Sequence, residues 1–113
     1  MEVRAVIIGL GRIASLLEDD PLREKPATHA GALAARADCT IVGGVDTDPE
    51  RRAQFGARWN VTEVSADAPT LLRRLQPNLV VVATHPDSHY RYVAAAAAAG
   101  VPVVVCEKPL AHT

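Results

Sequence analysis

Aromatic side chains are scarce in this sequence: Phe, Trp and Tyr together make up only 4% of its 113 residues. Hydrophobic residues nevertheless account for 49% of the chain, so a folded core must be built mainly from Val, Ile, Leu and Ala. Such side chains suit helices packed in layers on a sheet. A chain of this length has room for one domain, which we expect to span residues 1–113.

Neither sign of charge dominates. The 12 Lys and Arg residues and the 13 Asp and Glu residues give a formal net charge of −1. So small a charge creates no field that would recruit nucleic acid or an anionic membrane, and we expect neither as a partner. No stretch approaches the roughly 20 apolar residues that a membrane-spanning helix needs.

Cysteine is limited to Cys39 and Cys106, which are far apart in sequence and form no CxxC pair. A structural disulfide is therefore not expected, and a reducing environment is the default. The segment that begins at Met1 runs directly into a strand-like stretch and lacks the apolar core of a signal peptide. These features predict a cytoplasmic protein.

Short apolar runs alternate with helical segments along the chain. Strands are predicted at residues 3–8, 40–45, 79–83 and 101–106, with a weaker candidate at 61–64. Their apolar residues are consecutive, which is typical of strands covered on both faces. Helices are predicted at residues 29–36, 49–58, 70–75 and 88–99. The alternation predicts an α/β fold, a Rossmann-type doubly wound parallel sheet of about five strands with right-handed crossovers.

Capping residues mark the ends of the predicted helices. Thr28, Asp48 and Asp87 are candidate N-caps, and Gly100 is suited to a left-handed stop. Residues 18–26 are charged and include two prolines, so we expect an exposed loop there, inside the first crossover.

A glycine-rich turn, GLGRIA at residues 9–14, follows the first predicted strand and matches G-x-G-x-x-[GA]. Gly9 permits the tight turn, Gly11 lets the backbone approach a pyrophosphate, and Ala14 is small enough for helix–strand packing. A helix that opens here directs its free N–H groups at phosphates. The turn predicts dinucleotide contacts from Gly9, Leu10, Gly11, Arg12 and Ile13.

Asp46 closes the second predicted strand, where an acid can accept hydrogen bonds from an adenosine ribose. It lies beyond the usual spacing of about 20 residues from the glycine turn, and the loop at residues 18–26 accounts for part of the excess. A carboxylate repels a 2′-phosphate, which favours NAD over NADP. Arg51 and Arg52 are close enough in sequence to weaken that preference, so NADP stays an alternative.

Simpler interpretations of this segment stay open. Gly9 and Gly11 could join a strand to a helix in a domain that binds no nucleotide. Asp46 could serve only as a turn or capping residue. Arg12 is as compatible with solvent exposure as with a phosphate contact.

Two further loops follow the fourth and fifth predicted strands: ATHPDSH at residues 83–89 and CEKPL at 106–110. Together with the glycine turn and Asp46, these motifs resemble the Gfo/Idh/MocA family, which includes glucose–fructose oxidoreductase and inositol dehydrogenase. The most specific element is EKP at residues 107–109, placed one strand after the A-T-x-P-D-x-H loop. The resemblance covers residues 3–111.

The resemblance implies a catalytic role for Lys108. This residue matches the family lysine that reaches the substrate, where an ammonium group eases proton loss from a hydroxyl during hydride transfer. Glu107 and Pro109 would set the backbone that aims it. On residues alone, the favoured interpretation of Lys108 is an exposed lysine near a chain end.

The resemblance also assigns the loop at residues 83–89 to the nicotinamide side of the cofactor. Thr84, Pro86 and His89 match family positions that pass the ribose and phosphates there. The role of His85 stays open, because many relatives carry Thr, Pro or Asn at its position, and His89 could simply be packed and hydrogen-bonded. The histidines lack a metal-ligand spacing, so no metal site is expected.

Members of the family are longer, continuing into a last Rossmann strand and a C-terminal α+β substrate domain, and we expect neither within residues 1–113. The strand at residues 101–106 should then be an exposed apolar edge. The resemblance implies the NAD(P)-binding domain of an oxidoreductase that transfers a hydride between a nicotinamide cofactor and a sugar, cyclitol or related compound. A small-molecule substrate would be bound only in a full-length form, and a homo-oligomer is compatible with the sequence. The alternatives are a non-catalytic NAD(H)-binding sensor and an inactive fragment.

Overall fold

The computed structural model describes residues 2–11, 28–84 and 86–106. The predicted loop at residues 18–26 and the helix predicted to open after the glycine turn lie outside the described residues. Within them the strands are β1 (Val3–Ile8), β2 (Cys39–Val45), β3 (Val64–Ser65), β4 (Leu79–Val82) and β5 (Val103–Cys106). The helices are α1 (His29–Ala34), α2 (Pro49–Trp59), α3 (Ala68–Leu75) and α4 (Pro86–Ala98).

The five strands form one parallel sheet in the order β3-β2-β1-β4-β5. The order reverses between β1 and β4, and this reversal creates the crevice at which doubly wound folds bind ligands. Ile8, at the end of β1, is paired with Val45 of β2 and with Val82 of β4. The predicted Rossmann-type sheet is confirmed.

Helices cover both faces of the sheet. The helices α3 and α4 pack on one face, around a core that includes Val6, Ile8, Val45, Leu71, Leu72, Val80, Val82, Tyr92 and Ala96. The helices α1 and α2 pack on the other face, around Ile7, Leu10, Ala30, Phe55, Val61 and Val81. Neighbouring residues of β1 enter opposite clusters because strand side chains alternate between faces.

Three of the predicted caps are confirmed. The side chain of Thr28 accepts a hydrogen bond from the N–H of Gly31 at 3.0 Å and starts α1. Asp48 accepts from the N–H of Glu50 at 2.8 Å and starts α2. Gly100 adopts a left-handed conformation, with φ at 77°, just after α4.

The third strand differs from the prediction, which placed it at residues 61–64, whereas β3 covers only Val64–Ser65. The cause is the end of α2. Asn60 adopts a left-handed conformation, and the N–H of Val61 donates to the carbonyl of Gly56 at 2.9 Å. Val61 therefore belongs to the helix end, where its side chain is buried, and the strand starts later.

Two helices begin two residues earlier than predicted. Asp67 caps α3, because its side chain accepts a hydrogen bond from the N–H of Thr70 at 3.2 Å. The helix α4 begins at Pro86, whose fixed φ suits a first helical position. Asp87, predicted as the N-cap of α4, lies instead in its first turn, where a negative charge faces the positive end of the helix dipole.

The strand β5 lies at one margin of the sheet and carries exposed apolar residues. Val103 is 51% exposed and Val105 is 45% exposed. In the part of the chain that the structure describes, no strand pairs with the outer edge of β5. This strand has the exposed apolar character expected from the sequence. No helix among the described residues is long and apolar enough to cross a membrane.

Candidate functional site

The site lies at the carboxyl edge of the sheet, where five strands end in one row. Pairing aligns Ser65, Val45, Ile8, Val82 and Cys106 across β3, β2, β1, β4 and β5. The described residues that follow β1, β2, β3 and β4 emerge at the same edge, because the strands are parallel. The glycine turn, Asp46 and the loop after β4 are thereby brought together from distant parts of the sequence.

Gly9 occupies a position that other residues would not tolerate. Its φ is +90°, and its N–H donates to the carbonyl of Val45 at 2.7 Å. A Cβ on Gly9 would lie 2.8 Å from Cγ2 of Thr84 and 2.9 Å from the backbone of Ala83. The turn therefore packs directly against the loop after β4, with no room for a side chain between them.

Asp46 binds the glycine turn through its carboxylate. Its Oδ2 accepts a hydrogen bond from the N–H of Leu10 at 2.8 Å, and its Oδ1 accepts from the N–H of Asp48 at 2.9 Å. The backbone N–H of Asp46 donates to the carbonyl of Ser65 at 3.1 Å. A half-buried carboxylate thus joins the turn, the end of β2 and the start of α2.

Leu10 contributes its backbone to the edge and its side chain to the core. The side chain is fully buried. A Cβ on Gly44 would lie 3.3 Å from Cδ1 of Leu10 and 2.8 Å from Cε2 of Phe55. Leu10 is therefore limited to backbone contacts with any ligand at the turn.

Two arginines of α2 approach the same edge in different ways. Nη1 of Arg52 donates to the carbonyl of Asp46 at 2.8 Å. A Cβ on Gly11 would lie 3.4 Å from Nη1 of Arg51, so this guanidinium lies beside the glycine turn. Nε of Arg51 is 4.0 Å from Oδ2 of Asp48. Arg52 therefore supports the backbone after β2, whereas Arg51 extends toward the turn.

The loop after β4 is closed by a histidine. Nε2 of His89 lies 2.7 Å from the carbonyl oxygen of Thr84. Because a carbonyl can only accept, Nε2 carries the hydrogen of this bond. His89 is half-buried in the first turn of α4. This bond joins Thr84 to the first turn of α4.

A cleft of about 320 Å³ opens next to Asp46, between the start of α3 and the middle of α4. It is lined by Thr47, Ala66, Asp67, Ala68, Pro69, Arg91, Tyr92 and Ala95. The guanidinium of Arg91 lies over the ring of Tyr92, 4.7 Å from its centroid, and donates to the hydroxyl at 2.9 Å. The wall of the cleft thus combines small apolar residues with one aromatic–cation pair.

Several residues singled out from the sequence lie outside the described residues. These are Arg12, Ile13, His85, Glu107 and Lys108. The backbone of Pro86 begins α4, but its side chain is likewise not described. Within the described ranges, no group of three or more His, Cys, Asp or Glu residues is arranged to hold a metal ion.

Three features were not predicted from the sequence. They are the hydrogen bond from Leu10 to Asp46, the hydrogen bond from Arg52 to the carbonyl of Asp46, and the cleft. Each depends on residues that meet only when parallel strands end in one row. The pairing of β1 with β2 would have been the signal for the first, because it brings the residues after Ile8 and Val45 side by side.

Comparison with known proteins places these features in a family. The chain matches the family model of oxidoreductases with an NAD-binding Rossmann fold, GFO_IDH_MocA, over residues 3–113. Inositol 2-dehydrogenase of Pseudomonas fluorescens is 33% identical over 114 residues, which cover 100% of this chain and 30% of that protein. Inositol 2-dehydrogenase of Acidothermus cellulolyticus is 35% identical over 111 residues, which cover 98% of this chain and 29% of that protein.

Solved structures agree with this match. The WlbA dehydrogenase of Bordetella pertussis, in complex with NADH and UDP-GlcNAcA, is 27% identical and superposes with a TM-score of 0.78. The alignment covers 98% of this chain and 30% of that one. The chain thus spans about 30% of the length of the relatives that it matches. It belongs to the Gfo/Idh/MocA family of oxidoreductases and corresponds to the NAD-binding Rossmann domain of that family.

Proposed function

We propose that this chain binds NAD(H) across the carboxyl edge of its sheet and serves an enzyme that oxidises a hydroxyl group of a cyclitol or sugar. The observation that carries the proposal is the hydrogen bond from the N–H of Leu10, in the glycine turn, to the carboxylate of Asp46. The two relatives named above are inositol 2-dehydrogenases, which supports cyclitols as the substrate class. Three expectations from the sequence remain predictions: a domain that spans residues 1–113, a cytoplasmic location, and homo-oligomerisation.

Asp46 has acceptor capacity left for the adenosine ribose. A carboxylate offers about four lone-pair sites, and the N–H groups of Leu10 and Asp48 occupy one on each oxygen. The remaining sites can accept the two ribose hydroxyls. Because the carboxylate is already oriented by the backbone, little freedom is lost when the ribose binds.

The cleft beside Thr47 is suited to the adenine ring. It begins one residue after Asp46, and the base is the next group along the cofactor from the ribose. Ala66, Ala68 and Pro69 offer an apolar wall, and the pair of Arg91 and Tyr92 completes the lining. A volume of about 320 Å³ lies within the range of roughly 300–1,000 Å³ that is typical of small-molecule sites.

The nicotinamide half of the cofactor is expected over β4 and β5. Val82 and Cys106 are paired at the ends of these strands, so β5 ends beside the point where β4 leads into the loop that contains Thr84. This arrangement supports the roles that the resemblance implies for Glu107 and for Lys108, which would assist loss of the hydroxyl proton. Bound NAD⁺ supplies the hydride acceptor, while Thr84, His85, Pro86 and His89 would line its ribose and phosphates.

Calorimetric titration of the chain with NADH tests cofactor binding. We expect saturable binding, and we expect Asp46→Asn to weaken it about tenfold, because an amide replaces a charged acceptor of ribose hydroxyls. Asp38→Asn is the matched control, since Asp38 is an exposed residue just before the amino end of β2. An unchanged NADH affinity in Asp46→Asn would contradict the ribose assignment, and no binding by the unmodified chain would contradict the function.

Catalysis requires a separate assay on a form that includes the substrate half. With inositol and NAD⁺, we expect reduction of the cofactor that Lys108→Ala suppresses while NADH affinity stays within about twofold. Saturable NADH binding without turnover of any cyclitol or sugar would instead favour a non-catalytic NAD(H) sensor.

A further inference from the structure

We propose that the adenine base of the cofactor stacks on the guanidinium of Arg91, which makes Arg91 a specificity-determining residue that recognises the face of the base. This inference rests on the proposed function, because it assigns a binding residue to the cleft beside Thr47. Arg91 belongs to α4 and lies two residues beyond the A-T-x-P-D-x-H loop. It therefore stands outside every motif from which the cofactor site was predicted.

The first observation is that the aromatic ring beside the cleft is already covered. Tyr92 is only 7% exposed, and the guanidinium carbon of Arg91 lies over its ring, 4.7 Å from the centroid. Arg91 itself is exposed and lines the cleft. The flat group that a base meets on this wall is therefore the guanidinium rather than the phenol ring.

The second observation is that the guanidinium is oriented in the absence of a ligand. Nη2 of Arg91 donates a hydrogen bond to the hydroxyl of Tyr92 at 2.9 Å, and its position over the ring adds a cation–π attraction. Tyr92 is anchored in turn, because it packs with Ala96 in the core beneath α4. A long side chain loses rotamer freedom when it binds a ligand. Two contacts with a buried neighbour reduce that loss for Arg91.

The third observation is the lining that the start of α3 gives to the cleft. Ala66, Ala68 and Pro69 are small and apolar, so they can exclude water from a bound ring without hydrogen-bonding its edge. Asp67 is the charged residue of this segment, and it serves as the cap of α3. Its two carboxylate oxygens accept hydrogen bonds from the N–H of Thr70 at 3.2 Å and from its hydroxyl at 2.8 Å. The lining therefore favours contact with the face of a base over hydrogen bonds to its edge.

A guanidinium is suited to the face of a purine. It is planar, delocalised and weakly hydrated, so it stacks on π systems at a small cost in desolvation. Stacking tolerates changes at the edge of a base, because every base has a π face. In deamino-NADH, hypoxanthine replaces adenine, which exchanges the amino group of the edge for an oxygen and keeps the face. Recognition by stacking therefore predicts that NADH and deamino-NADH depend on Arg91 to the same degree.

Titration of the chain with NADH and with deamino-NADH, before and after Arg91→Ala, tests the inference. In the unmodified chain we expect the two Kd values to agree within about threefold, and Arg91→Ala should raise both by about tenfold. Arg91→Lys should restore little of this affinity, because it keeps the charge and loses the planar group. Arg58→Ala is the matched control, because Arg58 also lies over a neighbouring ring, 4.2 Å from the centroid of Trp59, but in the last turn of α2.

The support that Tyr92 gives to Arg91 is tested by Tyr92→Phe, which removes the hydroxyl and keeps the ring. We expect the Kd for NADH to rise about threefold, because the guanidinium loses one of its two contacts. In the Arg91→Ala background, the same change should have no further effect on NADH affinity, since the hydroxyl acts through Arg91. Independent, additive losses would contradict this coupling and overturn the orientation that the inference assigns to Arg91.

A phosphate contact of Arg91 would give different results. It predicts that Arg91→Lys keeps most of the NADH affinity, and that Arg91→Ala makes NADH binding less dependent on ionic strength. Either result would overturn the inference, as would an unchanged Kd for NADH in Arg91→Ala. Strong preference for NADH over deamino-NADH would assign recognition to the edge of the base and overturn it too. In each of these cases NADH still binds, so the proposed function is intact, whereas failure of the unmodified chain to bind NADH would refute that function itself.

Discussion

Replacing Asp46 with alanine should destabilise the chain even when no cofactor is present. In the free protein, the carboxylate accepts hydrogen bonds from the N–H groups of Leu10 and Asp48. A role confined to ribose binding predicts no loss of stability. A role in holding the glycine turn against β2 predicts a measurable loss of stability. Measuring stability without cofactor therefore distinguishes the structural role from the ribose-binding role.

The two hydrogen bonds differ in how buried they are, and this difference sets the expected loss in the free energy of unfolding. The bond from Leu10 is partly buried, and its loss leaves an amide without an equivalent acceptor, which costs about 1–3 kcal/mol. The bond from Asp48 is exposed, so water replaces the carboxylate there at little cost. We therefore expect Asp46→Ala to lower the free energy of unfolding by about 2 kcal/mol.

Urea denaturation measures this change through far-ultraviolet circular dichroism and the fluorescence of Trp59, the single tryptophan of the chain. With a slope of roughly 1–1.5 kcal/mol per molar urea, the midpoint should fall by about 1.5 M. Asp38→Ala is the control, because Asp38 forms a surface ion pair with Arg36, and such pairs contribute little. A midpoint for Asp46→Ala that equals that of the unmodified chain would refute the structural role of this carboxylate.

Three further predictions concern stability and reactivity. Gly9→Ala should lower the free energy of unfolding by more than about 2 kcal/mol in urea denaturation, because a Cβ meets backbone at φ +90°. Gly100→Ala, with nothing within 4 Å of its Cβ, should cost only about 1 kcal/mol. The pKa of Asp67 is lowered by hydrogen bonds from Thr70, so thermal scans should show stability lost below about pH 4. Burial raises the pKa of the Cys39 thiol, and Ellman's reagent at neutral pH should label the exposed Cys106 first.

Each of these predictions has an outcome that contradicts it. Equal losses in Gly9→Ala and Gly100→Ala would show that close packing at the turn is unimportant. For Asp67, the lowered pKa stabilises the fold above the pKa of the unfolded carboxyl, and this contribution disappears as the pH falls through the folded value. An Asp67→Asn variant with the same acid profile would contradict that origin. Faster labelling of Cys39 than of Cys106 would contradict the burial of Cys39.

The sheet was predictable because its central strands are continuous apolar runs. The structure has β1 at Val3–Ile8, as predicted, and β4 at Leu79–Val82, within one residue of the prediction. The predicted strand boundaries were wrong where the first residues of a predicted strand instead form hydrogen bonds that complete the end of the preceding helix. The N–H of Val101 donates to the carbonyl of Ala96 at 3.1 Å, so this residue finishes the turn after α4, and β5 begins only at Val103.

The candidate site was predictable in its residues but not in its contacts. The glycine turn and Asp46 follow apolar strands, and this local pattern is enough to find them. The hydrogen bond between Leu10 and Asp46 joins residues 36 positions apart, and it exists only because β1 and β2 are neighbours in register. The orientations of Arg51 and Arg52 likewise depend on how α2 packs, which helical periodicity does not specify.

Amide chemical shifts of the ¹⁵N-labelled chain during titration with NADH test the central claim most directly, because they locate the cofactor as well as detect it. We expect saturable shifts at Gly9, Leu10, Gly11 and Asp46. Asn78, which bonds to Arg4 at the opposite edge of the sheet, should be unaffected. Shifts confined to that opposite edge, or no shifts at saturating NADH, would contradict cofactor binding at the glycine turn.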